Sequence, residues 1–144
     1  MHGNTLLRIV DANLNRAQEG LRVCEDIVRF VLNDKKLSVA FKSLRHRVAK
    51  MSRLAHGRRG VLLKSRNSKM DVGKKTSASE SRRKNISDVF RANAQRVKES
   101  LRTLEEITKL FDRKMSGDFK KMRFRIYELE KKTALKLEIV LHNG

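Results

Sequence analysis

Proline and tryptophan are missing from the whole chain, and cysteine occurs once, at Cys24. Without proline nothing forces a helix to stop or kink, so long uninterrupted helices are allowed. A single cysteine excludes an intramolecular disulfide and fits a reducing compartment, the cytoplasm. Glycine is scarce: of seven, Gly57, Gly60 and Gly73 fall in one central stretch. Aromatic residues make up 5% of the chain, and none stands among the central lysines and arginines as a base-stacking platform would. No apolar run approaches the roughly 18 residues that a membrane span needs. The N-terminus has no long apolar stretch of the signal-peptide kind, so none is expected. Acidic residues are few, 16 against 35 Lys and Arg, leaving a formal net charge of +19. Such a field draws anions: nucleotides, phosphorylated metabolites, nucleic acid or an anionic membrane.

The sequence repeats. Residues 12–27 and 92–107, aligned at an offset of 80, agree at eight of sixteen positions: Ala12/Ala92, Asn13/Asn93, Arg16/Arg96, Glu19/Glu99, Leu21/Leu101, Arg22/Arg102, Glu25/Glu105 and Ile27/Ile107. Ordinary residue usage gives roughly one match in sixteen. Downstream the likeness resumes at an offset of 78, where Phe41–Arg45 answers Phe119–Arg123. Two copies of a unit this long read as a duplicated folding unit rather than a solenoid.

Apolar residues at 10, 14, 17, 21, 24, 28 and 31 predict a helix over about Thr5–Leu32. Positions 37, 41, 44, 48, 51 and 55 predict a second, with Asn33-Asp34 as the turn between them. Positions 94, 97, 101, 104, 108 and 111 predict a third, and 119, 122, 126 and 129 a fourth, with Ser116-Gly117-Asp118 as turn and cap. Ala134–Leu141 alternates like a strand but follows without a breaker, and is read as continued helix. The phenylalanines mostly follow these stripes and read as core. Residues 57–84 carry ten Lys/Arg against Asp71 and Glu80, a loop long enough to be functional. The fold expected is all-α: one domain over 1–144, an antiparallel bundle of two pseudo-two-fold-related helical hairpins. Repeat one spans about 4–55, the basic loop 56–80 and repeat two 81–141.

On the first helix, Asn13 and Arg16 border the core stripe beside Gly20; on the third, Asn93, Arg96 and Ser100 repeat the pattern. The plain reading is that these arginines pair with Glu19, Glu99 or a neighbouring helix. The functional reading brings two Asn/Arg sets together around an anion, and the duplication raises it to an equal footing. Asn13, Arg16, Asn93 and Arg96 are therefore the candidate catalytic residues. Arg22, Arg102, Arg45, Arg123, Arg66 and Gly73 are candidates for substrate or phosphate binding. Asp71 and Glu105 are candidate metal ligands; Glu25-Asp26 and Glu105-Glu106 read as Mg²⁺ ligands or arginine partners, although adjacent acids on a helix are usually just solvated. Gly73-Lys74-Lys75-Thr76 hints at a phosphate loop but fails the pattern, with Ser68 where the first glycine belongs and Lys75 where Ser or Thr belongs. Cys24 sits on the core stripe and reads as a small hydrophobe. His2, His46, His56 and His142 show no metal-ligand spacing, and no Ser/His/Asp set is present.

The run Asp11–Phe30, DANLNRAQEGLRVCEDIVRF, resembles a small thiamine-biosynthesis family that occurs alone or fused in front of thiamine-phosphate synthase (thiamine-phosphate pyrophosphorylase). The likeness returns at Phe41–Arg47, Asp71-Val72-Gly73, Ser79–Arg83 and Ala92–Glu106. It implies a kinase that converts 4-amino-5-hydroxymethyl-2-methylpyrimidine monophosphate to the diphosphate with ATP and Mg²⁺. It also implies that the unphosphorylated alcohol is not a substrate and that thiamine-phosphate synthase is the functional partner. It brings no catalytic assignment. The chain has no room for the synthase barrel, which needs roughly 200 residues or more. Pyrimidine phosphate and nucleotide are the ligands expected; a membrane is not, nucleic acid is disfavoured, and a homo-oligomer is compatible. Two rivals stand beside this reading: a basic helical nucleic-acid-binding protein, and a non-catalytic module associated with the synthase.

Overall fold

The computed structural model of the protein describes residues 3–57 and 83–143. These form α1 (Gly3–Asp26), a π-helical turn (Ile27–Val31), α2 (Lys35–Gly57), α3 (Ile86–Thr108) and α4 (Arg113–Asn143), with no strand among them. The all-α expectation holds. The ambiguous stretch 134–141 is helix, a direct continuation of α4. No helix among the described residues is long and apolar enough to cross a membrane.

Helices α2, α3 and α4 each start at a side-chain cap. Asp34 Oδ1 accepts from the Leu37 amide at 2.9 Å, Asn85 Oδ1 from the Asp88 amide at 2.9 Å, and Asp112 Oδ1 from the Met115 amide at 3.0 Å. These bonds satisfy amides that have no partner inside their helix. The Leu37 amide bond and the ion pair with Lys136 hold the Asp34 carboxyl below its ordinary pKa. Asp34 and Asp112 are equivalent at the offset of 78. The turn predicted at Ser116-Gly117-Asp118 is therefore misplaced. Asp112 caps α4 four residues earlier, and Ser116 lies inside the helix, donating its hydroxyl to the Glu105 carbonyl at 2.8 Å.

The change of offset from 80 to 78 also has a structural cause. Seven residue steps separate Ile27 from Asp34, and five separate Ile107 from Asp112. The π turn and the left-handed Asn33, φ 52°, absorb the two extra residues. Asparagine tolerates that conformation better than most side chains. The predicted first helix thus runs as α only to Asp26. The wider turn rotates Val31 off the core stripe, leaving it 42% exposed. Phe111, its counterpart, lies in the turn after α3 and is 49% exposed. Three of the six phenylalanines, Phe41, Phe90 and Phe119, are fully buried; Phe30, Phe111 and Phe124 are not, against the expectation that most are core.

The remaining stripe residues form one continuous core, including Leu14, Leu21, Leu44, Leu101, Leu104, Ile126 and Leu129. The hairpins join principally through α1 and α3. Asp34, beyond the end of α1, pairs with Lys136, and Glu138 accepts from Arg91 near the start of α3 at 3.2 Å. The end of α1 therefore meets the beginning of α3, and the two helices are antiparallel. They approach closely at Gly20. A Cβ there would stand 2.7 Å from Val97 Cγ2 and 3.0 Å from the Asn93 carbonyl oxygen. Helices α2 and α4 also touch each other, so both lie on the same side of the α1–α3 pair.

Gly20→Ala should lower stability by about 1 kcal/mol. Relief of glycine's helix penalty gives back about 1 kcal/mol, and overpacking costs about 1–3 kcal/mol. The loss should be smaller in a Val97→Ala background. Urea unfolding of the four proteins of this double-mutant cycle measures both effects. A stabilised Gly20→Ala would show that the crossing yields.

Candidate functional site

Helical rotation of about 100° per residue sets the orientation of the duplicated polar residues. Glu25 turns towards α2, where Arg45 Nε donates to its Oε1 at 2.9 Å and Arg45 Nη2 to its Oε2 at 3.3 Å. Arg22 Nη1 stands 3.7 Å from the same carboxylate. The second hairpin repeats the arrangement. Arg123 Nη2 donates to Glu105 Oε2 at 3.2 Å, and Arg102 Nη1 donates to it at 2.6 Å. The two glutamate side chains are 5% and 2% exposed. Arg22, Arg45, Arg102 and Arg123 thus share the charge of two buried carboxylates. Glu105, read from sequence as a metal ligand or an arginine partner, is the anion of an Arg–Glu–Arg cluster. Among the described residues no group of three or more His, Cys, Asp or Glu could hold a metal ion. A cation that arrives on nucleotide phosphates needs no such cage, but no described carboxylate is assigned to one.

Arg16 and Arg96 stand nine residues before Glu25 and Glu105, half a turn away around the helix. They therefore project from the side of the α1–α3 pair opposite α2 and α4. Both are exposed, and among the described residues neither has a hydrogen-bond or ion-pair partner. The plain reading, that they pair with Glu19, Glu99 or a neighbouring helix, does not hold there. Asn13 and Asn93 sit beside them at the crossing, and each donates its amide to its own helix, to the Ile9 and Val89 carbonyls, both at 2.8 Å. Arg66, Asp71 and Gly73 lie outside the described residues. Cys24 is fully buried, and burial pushes its thiol far above the ordinary range, as core placement requires.

One feature escaped the sequence reading. A groove of about 700 Å³ runs between α3 and α4, lined by Gln95, Lys98, Glu99, Arg102, Arg123 and Tyr127, among others. Lys98 lies 5.0 Å from the centre of the Tyr127 ring and donates to Glu130 at 2.7 Å. Lys98 and Tyr127 correspond to Gln18 and Ala49 in repeat one, so this pair distinguishes the halves. The signal available beforehand was that Tyr127 is the only tyrosine.

Glu105→Gln should destabilise the fold severely, towards the lower end of the about 3–5 kcal/mol for removing one partner of a buried pair, because Arg123 keeps some contact with water. Arg102→Gln, at an exposed position where solvent screens the charge, should cost far less. Chemical denaturation distinguishes the two. A stable Glu105→Gln protein would free this carboxylate for a ligand role.

A model of the ThiD2 family matches residues 8–132. The chain is 41% identical over 126 residues to a thiamine-phosphate synthase of Synechocystis, covering 87% of this chain and 35% of that protein. It is 39% identical over 134 residues to a thiamine-phosphate synthase of Rhodopirellula baltica, covering 92% of this chain and 35% of that one. The chain thus spans about a third of the length of the curated relatives it matches. No solved structure matches it. With 125 of its 144 residues inside the family match, the chain belongs to the ThiD2 family.

Proposed function

We propose that the protein is a phosphotransferase of thiamine biosynthesis that converts 4-amino-5-hydroxymethyl-2-methylpyrimidine monophosphate to the diphosphate, with ATP as donor and Mg²⁺. The product would feed thiamine-phosphate synthase, the name its longer relatives carry. The observation that carries the reading is the pair Arg16 and Arg96, identical in both repeats, exposed on one side of the α1–α3 crossing and without partners among the described residues. Arg22/Arg102 and Glu25/Glu105 are duplicated because each hairpin needs its ion cluster. Arg16 and Arg96 serve no such cluster.

The chemistry suits a site with few reactive groups. The acceptor monophosphate is mostly dianionic at neutral pH. One of its oxygens attacks the γ-phosphorus as the bond to the β–γ bridging oxygen breaks, and ADP leaves. No proton has to be removed from the nucleophile. The task is to hold two highly charged phosphates in line and offset their repulsion. Guanidinium groups suit it because their planar fork matches phosphate oxygens.

The arginines proposed to contact phosphate are exposed. The partly buried ones, Arg45 and Arg123, already have carboxylate partners. Discrimination against the free alcohol therefore cannot rest on stranding a buried cation. It rests on the attraction lost with the acceptor phosphate, and on the lack of a base among the proposed site residues to take the hydroxyl proton.

Purified protein with MgATP and the pyrimidine monophosphate should form ADP and the diphosphate, separated by ion-exchange chromatography. The alcohol should turn over far more slowly. Arg16→Ala or Arg96→Ala should remove a charge-assisted contact of about 1.5 kcal/mol or more, lowering kcat/KM tenfold or more. Lysine at either position should rescue poorly. Equal turnover of the alcohol would refute the stated origin of selectivity, and no turnover of either compound would overturn the kinase reading.

A further inference from the structure

The excess positive charge is unevenly placed. Helix α2 contains Lys35, Lys36, Lys42, Arg45, Arg47, Lys50 and Arg53 and not one Asp or Glu. Every other α-helix carries both signs. Arg45 turns inward to Glu25. Lys42, Arg47, Lys50 and Arg53 are exposed, and among the described residues none has an ion-pair partner. At 100° per residue they occupy one outward face, together with His46. From Lys42 to Arg53 that face extends about 16 Å at 1.5 Å per residue. Lys42, Ser43, His46, Arg47, Lys50 and Arg53 line a shallow trough of about 480 Å³, with Val39 at one end.

We propose that this face of α2 is an interaction surface for the phosphate backbone of duplex nucleic acid. Phosphodiester backbones are recognised chiefly by lysine and arginine, whatever the base sequence. Three features select a duplex over other polyanions. The face carries two lysines, two arginines and no Phe, Tyr or Trp, whereas the cores of protein–protein interfaces are depleted in charge and enriched in those three rings. Single strands are held by successive bases stacked on aromatic side chains, and this face offers one imidazole, His46, and no row of rings. A membrane-surface helix buries an apolar face in the lipid, but the apolar face of α2, with Phe41, Leu44 and Val48, is committed to the core. The surface is separate from Arg16 and Arg96, so it stands or falls independently of the kinase reading.

Fluorescence anisotropy with a random-sequence 20-base-pair DNA, titrated from about 50 to 200 mM salt, tests it. The variant Lys42→Gln/Arg47→Gln/Lys50→Gln/Arg53→Gln should bind more weakly. The slope of log K against log salt should shrink in magnitude by about 3–4, close to 0.9 for each lost phosphate contact. Circular dichroism should show the fold intact, and kinase turnover should be unchanged. A control with the same net charge, Lys114→Gln/Lys120→Gln/Lys121→Gln/Lys131→Gln on α4, should keep most of the slope. Equal loss in that control would overturn the proposal, because overall charge alone would then explain binding. So would undetectable DNA binding by the unmodified protein across that salt range, displacement of DNA by poly-glutamate at equal charge concentration, or tighter binding to phosphatidylserine vesicles.

Discussion

At Gly20 the backbones of α1 and α3 come so close that a methyl group would press on both Val97 and the Asn93 carbonyl. Much of the molecule's geometry follows from this crossing. Two antiparallel helices pressed together have two free sides. One is covered by α2 and α4, whose apolar stripes close the core. The other shows whatever the sequence places half a turn from the core-facing glutamates, which in both repeats is arginine. Ser100, the counterpart of Gly20, is also small and buried. It donates its hydroxyl to the Arg96 carbonyl at 2.7 Å, so its polar atom is satisfied within its own helix.

The buried Glu–Arg clusters tie each hairpin to itself rather than to its partner. A carboxylate almost out of water needs compensation, and Arg45 or Arg123 supplies it from the second helix of the same hairpin. Such a pair adds little net stability over an apolar equivalent but penalises any packing that separates it. This explains why polar identity persists across the duplication in residues that no ligand need touch. Duplication alone is therefore an ambiguous signal. It becomes informative after the structure has removed the copies that pair with each other.

How much was legible in advance follows the same division. Core stripes at 14, 17, 21, 24 and 28, at 37, 41, 44, 48 and 51, and in the second repeat could be read because helical burial imposes a period. The stripe failed at Val31 and Phe111, where the helices give way to a π turn and a tight turn. Periodicity carries no information about where regular geometry stops. Asp112 was passed over because Ser116-Gly117-Asp118 offers stronger-looking turn chemistry. The equivalence of Asp34 and Asp112, present in the offset of 78, was the better guide. For Glu25 and Glu105 the sequence offered solvation, a metal or an arginine partner, and one helix wheel could not choose, because it cannot show Arg45 or Arg123 approaching from another helix. The groove beside Tyr127 is likewise a property of two helices together. Asn13, Arg16, Asn93 and Arg96 were singled out from the sequence as candidates; they lie at the crossing, with the arginines exposed.

The large positive charge was the least specific feature of the sequence, and the structure divides it into parts with different physics. Arg45 and Arg123 are compensated inside the hairpins. Arg16 and Arg96 face outward at the crossing, two cations suited to a small, highly charged ligand. On α2 the cations form a row with no acid to pair with, suited to an extended ligand. Long-range attraction serves both outward groups but does not make them equivalent. A compact phosphate site draws on oriented hydrogen bonds that tolerate salt, whereas a row of exposed lysines and arginines draws on counterion release, which salt weakens steeply. Salt sensitivity is therefore the physical property that separates the two surfaces, and net charge alone could never have done so.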